Sequence, residues 1–422
     1  MNAGGPVGRP YIFALPRFTL DRMSNFHPPL SKKHKQIVAA LCATYGVLYL
    51  GRVNISVVLP ILAVELDVGR AEIGILGTVF FWVYAIGNFV NGEIGSHVSP
   101  FRVVALGLLV TAIVNLVFGF QTSLLVMLVL WGVNGFAQSG GWPPIVRILA
   151  ERLHPSQIKQ VSTVIPISYV IGTVVTWTLI GAVAAGGNWR LAFWLPGVIL
   201  LLTAALWRKA GIDAPTADSK GVRLSTIIAE SRGLAFALVV SALAGFVRNG
   251  SIIWLPSYIL DSQLIADNLV GAVAALTQVV AIPGLMIARH RVVRTNQVLV
   301  TGVYMFSAGG LAFLLLSATS GILSIVVLCL AMMILGGAFG LVTSSMPVML
   351  SPPGRASSIA GTQNMMATFA GGLAGFGIGA SVERGGWSAV FGLWGLMLLL
   401  AAAITWRHRH EEDRRTGAVE TG

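Results

Sequence analysis

Two arginines stand in the middle of long apolar runs, Arg52 within residues 36–62 and Arg248 within residues 234–260. A guanidinium in such surroundings costs about 3 kcal/mol on insertion scales, so it normally faces a polar cavity or a partner. All 16 acidic residues fall in polar loops, in the tails or at the ends of apolar runs, with Glu93 the deepest. No carboxylate is therefore at hand to pair with either arginine, and an anion brought from outside is the simplest partner. Arginine suits that task, because its planar fork meets a phosphate or carboxylate through two parallel hydrogen bonds. No histidine lies inside a run either; His97, His154 and His290 sit in or beside basic loops. A titratable relay through the apolar layer has no good candidate.

Polar side chains accompany these arginines at helical spacing. Tyr45, Tyr49 and Arg52 fall at i, i+4 and i+7, which places them on one face of a helix. Tyr84 and Asn88 form a second i, i+4 pair, and Asn134 and Gln138 a third. The third pair runs into Gly140-Gly141-Trp142-Pro143-Pro144, where glycines admit close helix approach and prolines free backbone carbonyls. Gln363 and Asn364 lie in a later run. The plain alternative for each hydroxyl or amide is hydrogen bonding between helices, and for Gln363 that packing role is the stronger reading. No nucleophile–base pair, metal-ligand spacing or phosphate-binding loop is present, so catalysis, a metal and a cofactor are not expected.

The elements that must hold these residues follow from composition. Of 422 residues, 55% are hydrophobic and 10% charged, with a mean hydropathy of +0.80. A soluble domain carries about 25% charged residues, so a soluble enzyme, a nucleic-acid binder and a disordered scaffold are excluded. Apolar runs fall at 36–62, 73–95, 103–121, 123–148, 160–184 and 191–207, then at 234–260, 267–288, 296–317, 321–349, 358–382 and 388–406. Nearly all suffice for a helix to cross a bilayer. The expectation is an all-α membrane protein with 12 transmembrane helices.

Of the 28 Lys and Arg, 23 lie in the tails or in the loops on the N-terminal side of the membrane, and only Arg70, Arg190 and Arg384 on the other. Basic flanks stay in the cytoplasm. Both termini are thus expected inside a cell (inner or plasma) membrane, and the pI near 10.3 reflects contact with anionic lipid rather than nucleic acid. The expected units are a basic tail (1–35), a six-helix bundle (36–207), a cytoplasmic linker (208–233), a second bundle (234–406) and a tail (407–422). Residues 1–35 lack a signal-peptide pattern, with Met23 an alternative start. Cys42 and Cys329 both lie in apolar runs and offer no disulfide framework.

Six runs plus six suggest duplication. Arg52 to Leu59-Pro60 and Arg248 to Leu255-Pro256 share a pattern at an offset of 196, and Gly187-Asn188-Trp189 echoes Gly385-Gly386-Trp387 at 198. Two six-helix repeats with a site between them at the midplane is the architecture of the major facilitator fold.

The stretch from Asn134 to Pro144, with Tyr45/Tyr49/Arg52 and Arg248…Trp254-Leu-Pro-Ser-Tyr258, resembles the organophosphate:phosphate antiporter family, which includes glycerol-3-phosphate and sugar-phosphate transporters. The resemblance covers most of residues 38–406. It implies an alternating-access exchanger in which Arg52 and Arg248 would clamp a phosphoryl group and Tyr45, Tyr49 and Tyr84 would line its site. Gln138, Trp142 and Gln363 join the candidate set. Two positions depart, with Asn88 where glycerol-3-phosphate carriers have Lys and Tyr169 where they have His; Ser96-His97 also replaces an expected acidic residue. The partner would be a small anion (phosphate ester, phosphate or carboxylate), carried by a monomer. Two alternatives stay open: an organic-carboxylate (hexuronate-type) symporter, whose first-span pattern Arg52-Val-Asn-Ile-Ser approaches, and a transport-incompetent sugar-phosphate receptor.

Overall fold

The computed structural model describes residues 30–153, 157, 161, 164–209, 234–350 and 356–412. Most of the N-terminal tail, the linker from 210 onward and the last ten residues therefore lie outside the described part. Among the described residues every regular element is helical. Ten helical stretches are long and apolar enough to cross a membrane, and Leu191–Trp207 is a shorter apolar helix. The chain folds as an all-α membrane protein. Large apolar side chains such as Leu106, Leu202, Leu311 and Leu396 point outward, as a lipid-facing surface requires, because lipid tails are as apolar as they are.

The first half comprises α1 (Lys32–Leu50), α2 (Asn54–Glu65), α3 (Arg70–His97), α4 (Pro100–Phe118), α5 (Leu124–Ser139), α6 (Trp142–Arg152), α7 (Val164–Ala185) and α8 (Leu191–Lys209). The second half comprises α9 (Leu234–Ser262), α10 (Asp267–Thr295), α11 (Val298–Ala318), α12 (Ile322–Gly340), a π-helical turn (Leu341–Ser345), α13 (Met346–Leu350) and α14 (Ala356–Arg407). Helix α14 is two helices in effect, because Gly386 adopts φ 67° and ψ −173° inside it. That left-handed φ favours glycine, which has no Cβ to clash.

Two expected runs are interrupted. Residues 36–62 divide into α1 and α2 around Gly51-Arg52-Val53, and residues 123–148 divide into α5 and α6 at Gly140–Gly141. In the second case Pro143 and Pro144 sit in the first turn of α6, where a missing N–H costs nothing. In the first case buried side chains from other helices take the freed carbonyls, as the next subsection describes.

The halves meet along two glycine-lined crossings. On one, Gly74 of α3 lies so close to Gly375 of α14 that a Cβ on either would strike the other's carbonyl oxygen. On the other, Gly271 of α10 lies against the Trp177 carbonyl of α7, and a Cβ on Gly181 would come 3.0 Å from the Gly271 Cα. Small residues let backbones approach and gain dispersion contacts in lipid. Gly74 and Gly271 occupy corresponding places in the two halves, as do Gly181 and Gly375, so the duplication seen in the sequence extends to the packing.

The same duplication marks one end of the molecule. The indole N–H of Trp189 donates to Glu65, and that of Trp387 donates to Asp261 at 2.8 Å. Arg190 joins the first pair from within the same half, 3.0 Å from Glu65. Arg70 joins the second pair from the opposite half, with both nitrogens on the Asp261 carboxylate at 2.5 and 3.0 Å. Nearby, the Ala71 N–H donates to Glu383 at 3.0 Å and the Phe376 N–H to Thr78 at 3.0 Å. This end of the molecule is tied together across the two halves.

Candidate functional site

Arg52 sits in the gap between α1 and α2, half-buried. The gap leaves carbonyls without helical partners, and an unsatisfied one in an apolar layer costs several kcal/mol, about as much as a whole interface contact can supply. Each is met. Gln138 donates to the Leu48 oxygen at 3.1 Å; Asn134 and Asn115 donate to Gly51 at 2.8 and 3.3 Å; Trp177 donates to Val53 at 3.3 Å. Asn54 then ties Asn115 and the Ala192 carbonyl, both at 2.9 Å. The position of Arg52 is thus set by a network of buried amides from α2, α4 and α5 and the Trp177 indole of α7.

The guanidinium itself lies among aromatic rings. Its Cζ is 4.4 Å from the ring centre of Tyr84, 5.1 Å from Tyr49, 5.4 Å from Phe80 and 5.7 Å from Phe81. The ring faces attract the cation by about 0.5–2 kcal/mol each without neutralising it. The cluster continues outward: Tyr45 packs on Tyr49 (5.5 Å) and on Trp142 (5.1 Å), and Tyr49 packs on Tyr169 (5.4 Å). Five of the expected residues, Tyr45, Tyr49, Tyr84, Trp142 and Tyr169, are therefore gathered around Arg52. Tyr45 and Tyr49 share a face of α1 as expected, but Arg52 reaches them from beyond the end of that helix. Asn88 follows Tyr84 by one turn of α3 and is half-buried.

Arg248 has a different setting. It lies inside the unbroken helix α9 and is 7% exposed. One guanidinium nitrogen, Nη2, donates to the Gln278 side-chain oxygen of α10 at 2.9 Å, while Nη1 is buried with no partner. The two arginines lie at comparable depth. A Cβ on Gly77 would meet Ile253 at 2.8 Å, and from that contact Arg248 lies five residues further along α9, while Phe81 and Tyr84, which cover Arg52, lie four and seven along α3. At about 1.5 Å per helical residue, both sites fall one to two turns from the crossing, on the side away from the tied end.

The expected amides divide. Gln138 is buried and committed to the Leu48 carbonyl, so it shapes the gap that carries Arg52. Gln363 is fully buried between α14 and α9, its amide 3.3 Å from Ser241, two turns from Arg248 along α9. Phe80, Phe81 and Gln278 were missed at the sequence level. The phenylalanines precede Tyr84 by one turn, which is a usable signal; Gln278 is uncharged, and a lone amide in an apolar run carries no signal of its own. Among the described residues no group of three His, Cys, Asp or Glu could hold a metal ion.

A family model described as the Major Facilitator Superfamily matches residues 41–375. The chain belongs to the major facilitator superfamily. In keeping with that membership, a bacterial homologue of the human lysosomal transporter Spinster, in an inward-facing and unoccupied conformation, superposes with a TM-score of 0.71 at 15% identity, covering 91% of this chain and 99% of that one. Among curated relatives, a probable hexose phosphate transport protein of Chlamydia pneumoniae is 29% identical over 41% of this chain and 39% of its own length. The membrane sensor protein UhpC of Escherichia coli (strain K12) is 25% identical over 41% of this chain and 40% of its own. The hexuronate transporter of Bacillus subtilis (strain 168) is 24% identical over 60% of this chain and 63% of its own. The match to the first two thus spans about two-fifths of their length. The resemblance to organophosphate:phosphate antiporters rests on the hexose phosphate and UhpC relatives at modest identity, and the superfamily is one of transporters rather than enzymes.

Proposed function

We propose that this protein is a secondary transporter that moves an organic phosphate or related small anion across a cell membrane by exchange with inorganic phosphate. The observation that carries the reading is the pair of repeat-related arginines at matching depth, each held by neutral groups and each keeping its charge available. Two like charges facing one cavity repel and oppose closure. An anion that bridges them removes the repulsion and adds charge-assisted bonds, so the loaded carrier rocks more readily than the empty one. Exchange follows from that asymmetry.

In this reading the chain crosses the membrane twelve times, with Leu191–Trp207 as the sixth crossing and Gly386 dividing the last two. The bundles are 36–207 and 234–406, and both termini are cytoplasmic. The end tied by Arg70 and Asp261 then lies outside, and the arginines are approached from the cytoplasm. Arg52 and Arg248 hold the anion; Tyr45, Tyr49, Tyr84 and Tyr169 offer hydroxyls, and Trp142 and Asn88 complete the wall.

A second reading, symport of an organic carboxylate, draws support from the longer match to a hexuronate transporter, 271 residues against 176 for the hexose phosphate relative. Proteoliposomes preloaded with phosphate should take up labelled phosphate much faster than empty ones. Equal uptake by both would discard exchange, and uptake of labelled glucuronate by empty vesicles under an ion gradient would favour the carboxylate reading.

A further inference from the structure

We propose that Gln278 is a specificity-determining residue that positions Arg248 for an anion without neutralising it; this deepens the proposed function and rests on it. Gln278 is 2% exposed and occupies α10, across from Arg248 on α9. Its side-chain oxygen holds Nη2 at 2.9 Å. Its amide nitrogen makes only a long contact, 3.4 Å, to the Thr277 hydroxyl, which itself donates to the Ala274 carbonyl. Nη1 of Arg248 has no acceptor. One end of the carboxamide therefore fixes the guanidinium, and the pair retains two weakly used N–H donors on neighbouring groups. A buried donor without an acceptor is costly, and an anion oxygen brought beside Nη1 and the Gln278 amide would satisfy both.

The chemistry depends on the group being an amide. A carboxylate of the same shape would accept the same bond from Nη2, but it would also cancel the charge of Arg248 and present lone pairs where the anion needs donors. An apolar side chain would leave the charge intact and the guanidinium unanchored. Glutamine alone among these three both fixes the arginine and leaves the pair with a net positive charge, so the residue at 278 determines whether the second half attracts an anion at all.

The two roles, support and selectivity, come apart in two variants of the full-length protein reconstituted in phosphate-loaded vesicles. Gln278→Glu should keep or raise the thermal unfolding temperature in the absence of phosphate, because the buried arginine gains an opposite charge, while the KM for labelled phosphate rises at least about tenfold or exchange is lost. Gln278→Leu should lower the unfolding temperature but retain exchange, with the KM raised by about threefold and the maximal rate within about twofold of the parent. A merely structural Gln278 would make exchange follow stability, with Leu the more damaging change. Parent-like KM in Gln278→Glu, or loss of exchange in Gln278→Leu as complete as in Gln278→Glu, would overturn the proposal. Arg248→Lys separates this from the underlying reading: if it loses exchange while Gln278→Glu does not, only the role of Gln278 fails. If Arg248→Lys exchanges normally, or the parent shows no phosphate exchange, the clamp itself fails and this inference with it.

Discussion

Arg52 and Arg248 occupy corresponding places in the two halves, yet the halves support them by different means. In the first half the helix stops, Arg52 projects from the gap, and buried amides on α4 and α5 together with the Trp177 indole on α7 hold the backbone carbonyls. In the second half α9 runs on without a break through Arg248, and a single side chain, Gln278, holds the guanidinium itself. The environments differ accordingly: four aromatic rings within 5.7 Å of Arg52, one amide on Arg248. Duplication has kept the charge and its depth while the scaffolding diverged.

The sharpest way to break the comparison is to remove the geometry and keep the charge. Arg52→Lys and Arg248→Lys should each reduce phosphate exchange by about a hundredfold or more with normal expression, since an ammonium lacks the bidentate fork; labelled-phosphate uptake checks this. If one of the two retained near-normal exchange, the halves would differ in function and not only in scaffolding.

The next effect concerns the support of Arg52. Asn134→Leu strips the strongest donor from the Gly51 carbonyl and should destabilise the protein by about 1–3 kcal/mol, read as a lower unfolding temperature in detergent. The equivalent backbone in α9 is helical and makes no such demand, so apolar substitutions beside Arg248 that spare Gln278 should be milder.

Smaller still is the contribution of a ring. Tyr84→Leu removes the closest aromatic face from Arg52 and should weaken anion binding by about 1 kcal/mol, a several-fold rise in KM for phosphate. Asn88→Lys adds a cation one turn away and should tighten phosphate-ester binding, most clearly above the second phosphate pKa of about 6. A variant that weakens every ligand equally at all pH values would place Asn88 in packing alone.

Much of this was legible in the sequence, for reasons that can be named. Uncompensated arginines in apolar runs are rare enough to stand out, and the i, i+4 spacing of Tyr45 and Tyr49 brought their rings together as helical geometry dictates. The echo of Trp189 in Trp387 proved to be a shared indole–carboxylate bond. The break at Gly51 was not legible, because hydropathy is blind to a backbone whose carbonyls are satisfied by side chains 64 to 124 residues away. Nor was Gln278, since a lone amide in an apolar run reads as packing until its partner is known. The crossing of Arg70 to Asp261 escaped for the same reason: it joins residues 191 apart in sequence.

The claim that one anion engages both arginines is tested most directly by ligand-dependent thermal unfolding of the purified protein. A ligand that binds the native state raises apparent stability by mass action. Inorganic phosphate or a hexose phosphate should raise the unfolding temperature of the parent, and that rise should vanish in Arg52→Lys and in Arg248→Lys alike. Undiminished stabilisation of either single variant would contradict the account, because it would mean that the anion is held by one half alone.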